Sequence, residues 1–264
     1  MADPHVNCSF LEFCMYRAHL LGVELTFWAV AAEANATDVN GPLIDPEICA
    51  IKLENESSTC AKLPKELYTG QDAGENLRCG RVWPGTPACI ESLRPVLTRL
   101  LAKDPSPPQV IELGAGMGLP GLWAAAQGAC VTLTDTTPAV LELLRRNALL
   151  VGDRHECTVR ELDWRALPGW LREESYDIAI ACDVLYAQAA VEPLLGAAAW
   201  ALRPGGVLLL SHAERGILDM DDVLTCAAAR GLEWTSQSEQ VGQGGAASEN
   251  SNAPIEVHTF VKEF

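Results

Sequence analysis

From Gly80 onward the chain alternates two patterns. Short apolar runs of strand length give way to longer stretches whose apolar positions recur every three or four residues. The first pattern predicts buried strands and the second predicts helices. Gln109–Leu113, Cys130–Thr134, Cys157–Leu162, Tyr176–Cys182 and Val207–His212 read as strands. Pro120–Gln127, Pro138–Leu150, Val191–Leu202 and Asp219–Ala229 read as helices. Ahead of them, Thr86-Pro87 reads as a helix start, with Thr86 as N-cap and Pro87 in the first turn. Ile90, Leu93, Leu97, Leu100 and Leu101 follow at helical spacing, Pro95 is expected to kink or split that helix, and Pro105–Pro108 closes it. Repeated strand–helix units imply a parallel sheet covered on both faces, with right-handed crossovers. The ending differs. Leu232–Ser236 and Ile255–Lys262 are strand-like, and only a Gly-, Ser- and Asn-rich loop, Gly242–Ala253, joins them. Two strands without a crossover helix pair antiparallel. The expected fold is α/β and doubly wound: a mostly parallel seven-stranded sheet finished by a C-terminal antiparallel hairpin.

The first 78 residues lack this alternation and read as an accessory segment, partly helical, ahead of a domain over residues 79–264. Phe10–Ala34 reads as the helix. Asn35–Glu47 reads as loop, Cys49–Leu53 as a short strand and Gly70–Glu75 as a turn. The apolar stretch His19–Ala32 contains Glu24 and is too short to span a bilayer. Asp3 and Glu12 before it carry the wrong charge for a signal peptide. No membrane partner is therefore expected.

Composition narrows the partners. Of 264 residues, 48% are hydrophobic and 20% charged, which suits a packed globular chain. The net charge of −16 weighs against nucleic acid and suits a basic protein partner. The ten cysteines include no C-x-x-C pair and none at metal-ligand spacing with a histidine. No metal is expected. A reduced compartment follows, the cytoplasm with the nucleus as the alternative.

The chemistry concentrates at Val110–Gly121, where Val-Ile-Glu-Leu-Gly-Ala-Gly-Met-Gly-Leu-Pro-Gly ends a strand and opens a helix. Open α/β sheets bind ligands at this edge. Gly116, Gly118 and Gly121 match G-x-G-x-x-G, which leaves a nicotinamide or flavin dinucleotide as an alternative. The strand ends near Gly114, however, two residues before the dinucleotide register begins. Glu112 suits the amino group of a methionine moiety better than a pyrophosphate. S-adenosylmethionine is thus the favoured cofactor. Asp135, at the end of the second strand and 21 residues after Gly114, is placed to accept from ribose hydroxyls or to cap the helix that follows.

Four further segments carry a resemblance. Gly80-Arg-Val-Trp83, Leu162-Asp-Trp164, Cys182-Asp-Val-Leu-Tyr186 and Leu202-Arg-Pro-Gly-Gly206 make Gly80–Phe264, about 70% of the chain, similar to the seven-strand (class I) S-adenosylmethionine-dependent methyltransferases. The resemblance is to the protein-lysine methyltransferase-like family, methyltransferase family 16, with its Rossmann-like fold. It implies that Trp83 packs on the cofactor, that Gly114, Ala115 and Gly116 line it, and that Asp163 and Trp164 contact its adenine. It also implies Cys182 as a cofactor contact and the D-x-x-Y segment as the acceptor side. Structural readings stand beside these: Trp164 as a core side chain, Trp83 as an anchor, Asp183 as a helix cap. That family leads into its domain with a short β-hairpin, from which the partly helical lead expected here departs.

The implied reaction is methylation of a lysine side chain on a protein substrate. Alternatives are a small-molecule or protein-histidine methyltransferase on the same fold, a cofactor-binding scaffold without turnover, and an NAD(P)-dependent oxidoreductase. Asp183 and Tyr186 are the candidates for orienting the amine, and no strong general base is expected. His212 reads as a structural strand-end histidine.

Overall fold

The computed structural model of the chain describes residues 11–20, 23–30, 53–63, 83, 85–151, 156–213, 216–240 and 254–264, the segments before Trp83 by their backbone. Three antiparallel strands come first: β1 (Leu11–Leu20), β2 (Val23–Val30) and β3 (Leu53–Leu63). They form a sheet in the order β2-β1-β3. This corrects the helix expected over Phe10–Ala34. Leu20 pairs with Val23 across two residues, Leu21 and Gly22. Phe, Val, Thr and Trp in Val23–Val30 favour a pleated surface. Asn35–Glu47, Gly70–Glu75 and Gly242–Ala253 lie outside the described residues, as does Cys49–Leu53 apart from Leu53, which opens β3.

The larger sheet has seven strands in the order β6-β5-β4-β7-β8-β10-β9. They are β4 (Gln109–Leu113), β5 (Cys130–Asp135), β6 (Cys157–Glu161), β7 (Tyr176–Cys182), β8 (Leu202–Ala213), β9 (Leu232–Gln240) and β10 (Ile255–Lys262). Strands β4 to β8 run parallel, and β10 inserts antiparallel to both β8 and β9. The helices are α1 (Gly85–Lys103), α2 (Leu119–Ala126), α3 (Pro138–Leu150), α4 (Val191–Ala201) and α5 (Met220–Ala228).

The two-residue period of the strands divides the core. Val110, Ile178, Ile180, Val207 and Leu209 face α1, α2 and α3. Ile111, Ala179, Ala181, Leu208 and Leu210 face α4 and α5. With apolar side chains on both faces, these strands read as continuous apolar runs.

Three boundaries differ from expectation. Thr86 lies inside the first turn of α1, so it is not the N-cap. The same helix runs through Pro95 to Lys103 unsplit. Leu202–Gly206, expected to precede the fifth strand, belongs to β8, with a register shift against β7 at Tyr176/Ile178.

Candidate active site

The loop between β4 and α2 turns by placing Gly114, Gly116 and Gly118 at φ 68°, 55° and 79°, in the left-handed region. At Gly114 the missing side chain also has a purpose: a Cβ there would stand 3.1 Å from the Trp164 ring and 3.0 Å from Val184. Glycine lets the indole close on the backbone. Asn147 on α3 braces the loop from behind, its amide donating to Met117 O at 3.0 Å.

Two carboxylates hold the loop amides. Gly121 N donates to Glu112 Oε2 at 2.8 Å, and Gly116 N donates to Asp135 Oδ2 at 3.2 Å. Asp135 Oδ1 also accepts from Thr136 N and Thr137 N at 2.8 and 3.1 Å. Asp135 therefore supports the turn before α3 and also lines the cavity. Burial pushes the Glu112 carboxyl up to about 8, against the pull of the Gly121 amide and with a further push from Asp135. Burial raises Asp135 as well, opposed by its three backbone donors.

A cavity of about 360 Å³ opens over this loop. Ten of the eleven expected site residues line it: Trp83, Glu112, Gly114, Ala115, Gly116, Asp135, Asp163, Trp164, Cys182 and Tyr186. Asp163 holds its own turn, accepting from Arg165 N at 2.9 Å. The Trp83 and Tyr186 rings meet at 5.6 Å between centroids, tilted by 51°, and Tyr186 is 50% exposed at the mouth.

Asp183 is the eleventh, and it is not among the lining residues. The expectation that it faces the crevice needs correction. Its φ of 55° swings the chain at the strand end, and its N–H donates to Ser211 O at 2.9 Å. The side chain is buried beside Gly85, where a Cβ would come within 3.7 Å of the Asp183 Cβ. His212 is likewise buried in β8 and outside the lining.

Sequence reasoning missed Thr86, Leu162, Arg165 and Val184 in the lining, together with Met117–Pro120 and Thr136-Thr137. Most of these are sequence neighbours of recognised motif residues, and that adjacency was the available signal. Thr86 had no such signal, because its position at a helix start already accounted for it.

The donor set decides between cofactors. A dinucleotide pyrophosphate needs free amides at the helix start. Here the Gly116 and Gly121 amides are taken by the Asp135 and Glu112 carboxyl oxygens, which leaves neither free for a phosphate. Among the described residues Arg165 is the only basic lining side chain, and it lies 4.0 Å from Asp163. The same set fits S-adenosylmethionine. Leu162 and Trp164 offer apolar surface to an adenine, Asp135 keeps lone pairs for ribose hydroxyls, and Glu112 and the glycine backbone suit an amino acid moiety.

Comparison with known proteins agrees. Protein N-lysine methyltransferase METTL21A of Danio rerio is 32% identical over 150 residues, 54% of this chain and 68% of that protein. EEF1A lysine methyltransferase 3 of Mus musculus is 30% identical over 167 residues, 61% of this chain and 67% of that protein. A histidine protein methyltransferase 1 homolog of Dictyostelium discoideum is 33% identical over a shorter stretch of 85 residues, 31% of this chain and 28% of that protein. The crystal structure of magnesium protoporphyrin IX methyltransferase from Synechocystis PCC 6803 with bound SAM shares the fold, with a TM-score of 0.54 and 17% identity over 74% of this chain and 94% of that one. The lysine methyltransferase family profile matches residues 62–221, and the chain belongs to that family.

Proposed function

We propose that this chain transfers a methyl group from S-adenosylmethionine to the ε-amine of a lysine in a protein substrate. The observation that carries the reading is the make-up of the cavity: among the described residues, Glu112, Asp135 and Asp163 line it with the glycine loop, and the Trp83 and Tyr186 rings meet at its mouth. The cofactor, when bound, supplies an activated methyl group on a sulfonium. The protein has to align the acceptor and exclude water, and alignment alone contributes roughly 7–11 kcal/mol.

A lysine arrives protonated, and at pH 7 its neutral form lies about 4.6 kcal/mol uphill. The lining carboxylates are Glu112, Asp135 and Asp163, all on the glycine-loop side. Among the described residues the mouth has no carboxylate in its lining beside Trp83 and Tyr186 to serve as base. Desolvation between the Trp83 and Tyr186 rings lowers the amine pKa instead. Tyr186 orients the nitrogen or walls its channel. Asp183 acts from behind, fixing the turn that presents Tyr186.

The net charge of −16 supports a basic substrate segment around the lysine. The cytoplasm is the proposed compartment, with the nucleus as the alternative. Transfer of tritiated methyl groups from S-adenosylmethionine into cell-extract protein, followed by amino-acid analysis, tests the reading. Methyl-lysine in a protein band is the expected product. Methyl-histidine would move the assignment to the histidine branch, and label confined to small molecules would overturn it.

A further inference from the structure

The neutral mouth contains one buried polar side chain that no motif assigns. Thr86 is 4% exposed, yet it lines the cavity beside Trp83, Cys182 and Tyr186. Its placement is fixed from two sides. The Thr86 N–H donates to Trp83 O at 3.0 Å, so one turn presents both side chains. Gly85 seats that turn directly on β8, where any Cβ would collide with the Ser211 hydroxyl. Ser211 Oγ in turn donates to Gly85 O at 3.4 Å.

The hydroxyl is under-used. Among the described residues its one side-chain partner is the Cys182 thiol, which donates to Thr86 Oγ1 at 4.0 Å and also lies 3.6 Å from Ser211 Oγ. A thiol is a weak donor, and a hydroxyl has two acceptor lone pairs and one donor hydrogen. Buried polar groups normally find a full partner. Here the remaining capacity lies in the lining of the cavity, beside Trp83, Cys182 and Tyr186.

Resting on the function proposed above, we propose that Thr86 is an acceptor-positioning residue: its hydroxyl accepts a hydrogen bond from the attacking amine and sets the direction of its lone pair. A neutral primary amine has two N–H groups and one lone pair. Holding one N–H on Thr86 Oγ1, with the alkyl chain between Trp83 and Tyr186, leaves the lone pair free to point at the methyl carbon. The ammonium gives its proton to solvent water before this step, and Thr86 neither gains nor loses one.

The test needs no identified substrate. Sinefungin is a cofactor analogue with a primary amine on carbon where S-adenosylmethionine has its S-methyl group, so its amine stands at the methyl position and donates toward hydroxyls on the acceptor side. S-adenosylhomocysteine lacks any group there. Calorimetry on the full chain, wild type against Thr86→Val and Thr86→Ser, compares the two ligands. Thr86→Val is expected to weaken sinefungin about tenfold while leaving S-adenosylhomocysteine within about twofold, the loss typical of one hydrogen bond to a charged group. Thr86→Ser restores the wild-type ratio. An unchanged ratio in Thr86→Val overturns the proposal, and so does an equal loss of both ligands, which would place Thr86 in the cofactor shell. Wild-type chain that binds neither ligand overturns the cofactor reading and this proposal with it. Wild-type chain that binds both but labels no lysine in extract overturns the lysine reading alone.

Discussion

At the β4–β6 end of the cavity three carboxylates, Glu112, Asp135 and Asp163, surround a backbone whose amides are already bonded. At the Trp83–Tyr186 end the lining is two aromatic rings, a hydroxyl and a thiol. The first end has its hydrogen bonds in place without a ligand, and on the function proposed above it receives the cofactor's cationic amino group. The second offers little that hydrates or pairs with an ammonium, so it favours the neutral amine. One cavity thus treats two nitrogens in opposite ways, and the difference lies in where the strand ends place their acids. Each end can be altered separately.

The largest effect is expected at Gly121. A Cβ there would stand 2.6 Å from Glu112 Oε2 and would collide with Leu133. Gly121→Ala must displace the carboxylate or the helix start, at a strain of roughly 1–3 kcal/mol. It also breaks the 2.8 Å bond that fixes Glu112. Calorimetric titration with S-adenosylhomocysteine should give no measurable heat. Wild-type affinity in this variant would show that Glu112 does not organise the cofactor end.

Asp135→Ala comes next. It removes the proposed acceptor for the ribose hydroxyls and releases Gly116, Thr136 and Thr137. Charge-assisted hydrogen bonds contribute about 1.5–3 kcal/mol each, so the same titration should weaken roughly 100-fold. Tyr186→Ala addresses the other end. It opens the mouth and removes the Trp83–Tyr186 ring contact. Methyl transfer into extract protein should fall roughly tenfold, in line with loss of a positioning group, while S-adenosylhomocysteine affinity stays within about twofold. Equal losses in binding and transfer would erase the distinction between the ends.

Much of the cofactor end was legible in the sequence because its residues follow chain order. An apolar strand that stops at a glycine places the next residues on the sheet edge, so Glu112, Gly114 and Asp135 could be placed from pattern alone. The mouth depends on backbone direction instead. Sequence shows that β7 ends near Cys182, but not that Asp183 takes a φ of 55° and turns its side chain out of the lining. Thr86 was legible only as a helix cap, because a lone threonine at a helix start has a sufficient local explanation. The helix expected over Phe10–Ala34 failed for another reason. An apolar run with few polar residues satisfies both periods, and only the pairing of Leu20 with Val23 separates a hairpin from a helix.

The smallest expected effect tests whether the cofactor end is strained when empty. The folded Glu112 carboxyl titrates at about 8, against an ordinary value of 4.5. Between those values the folded chain binds more protons than the unfolded one, so this group makes stability fall as pH rises. The sign is opposite to that of a salt-bridged carboxylate. Below pH 4.5 both states are protonated and the contribution vanishes; above 8 the full penalty is present. Glu112→Gln removes the titration and keeps an acceptor for Gly121 N. The Tm difference, variant minus wild type, should therefore grow steadily from about pH 5 to 8. Measuring the difference cancels the titrations the two proteins share. S-adenosylhomocysteine, which brings a cation to the carboxylate, should reduce that difference at pH 8. A flat difference across this range would mean that Glu112 sits ionised at little cost, and the two ends of the cavity would then differ in shape rather than in charge.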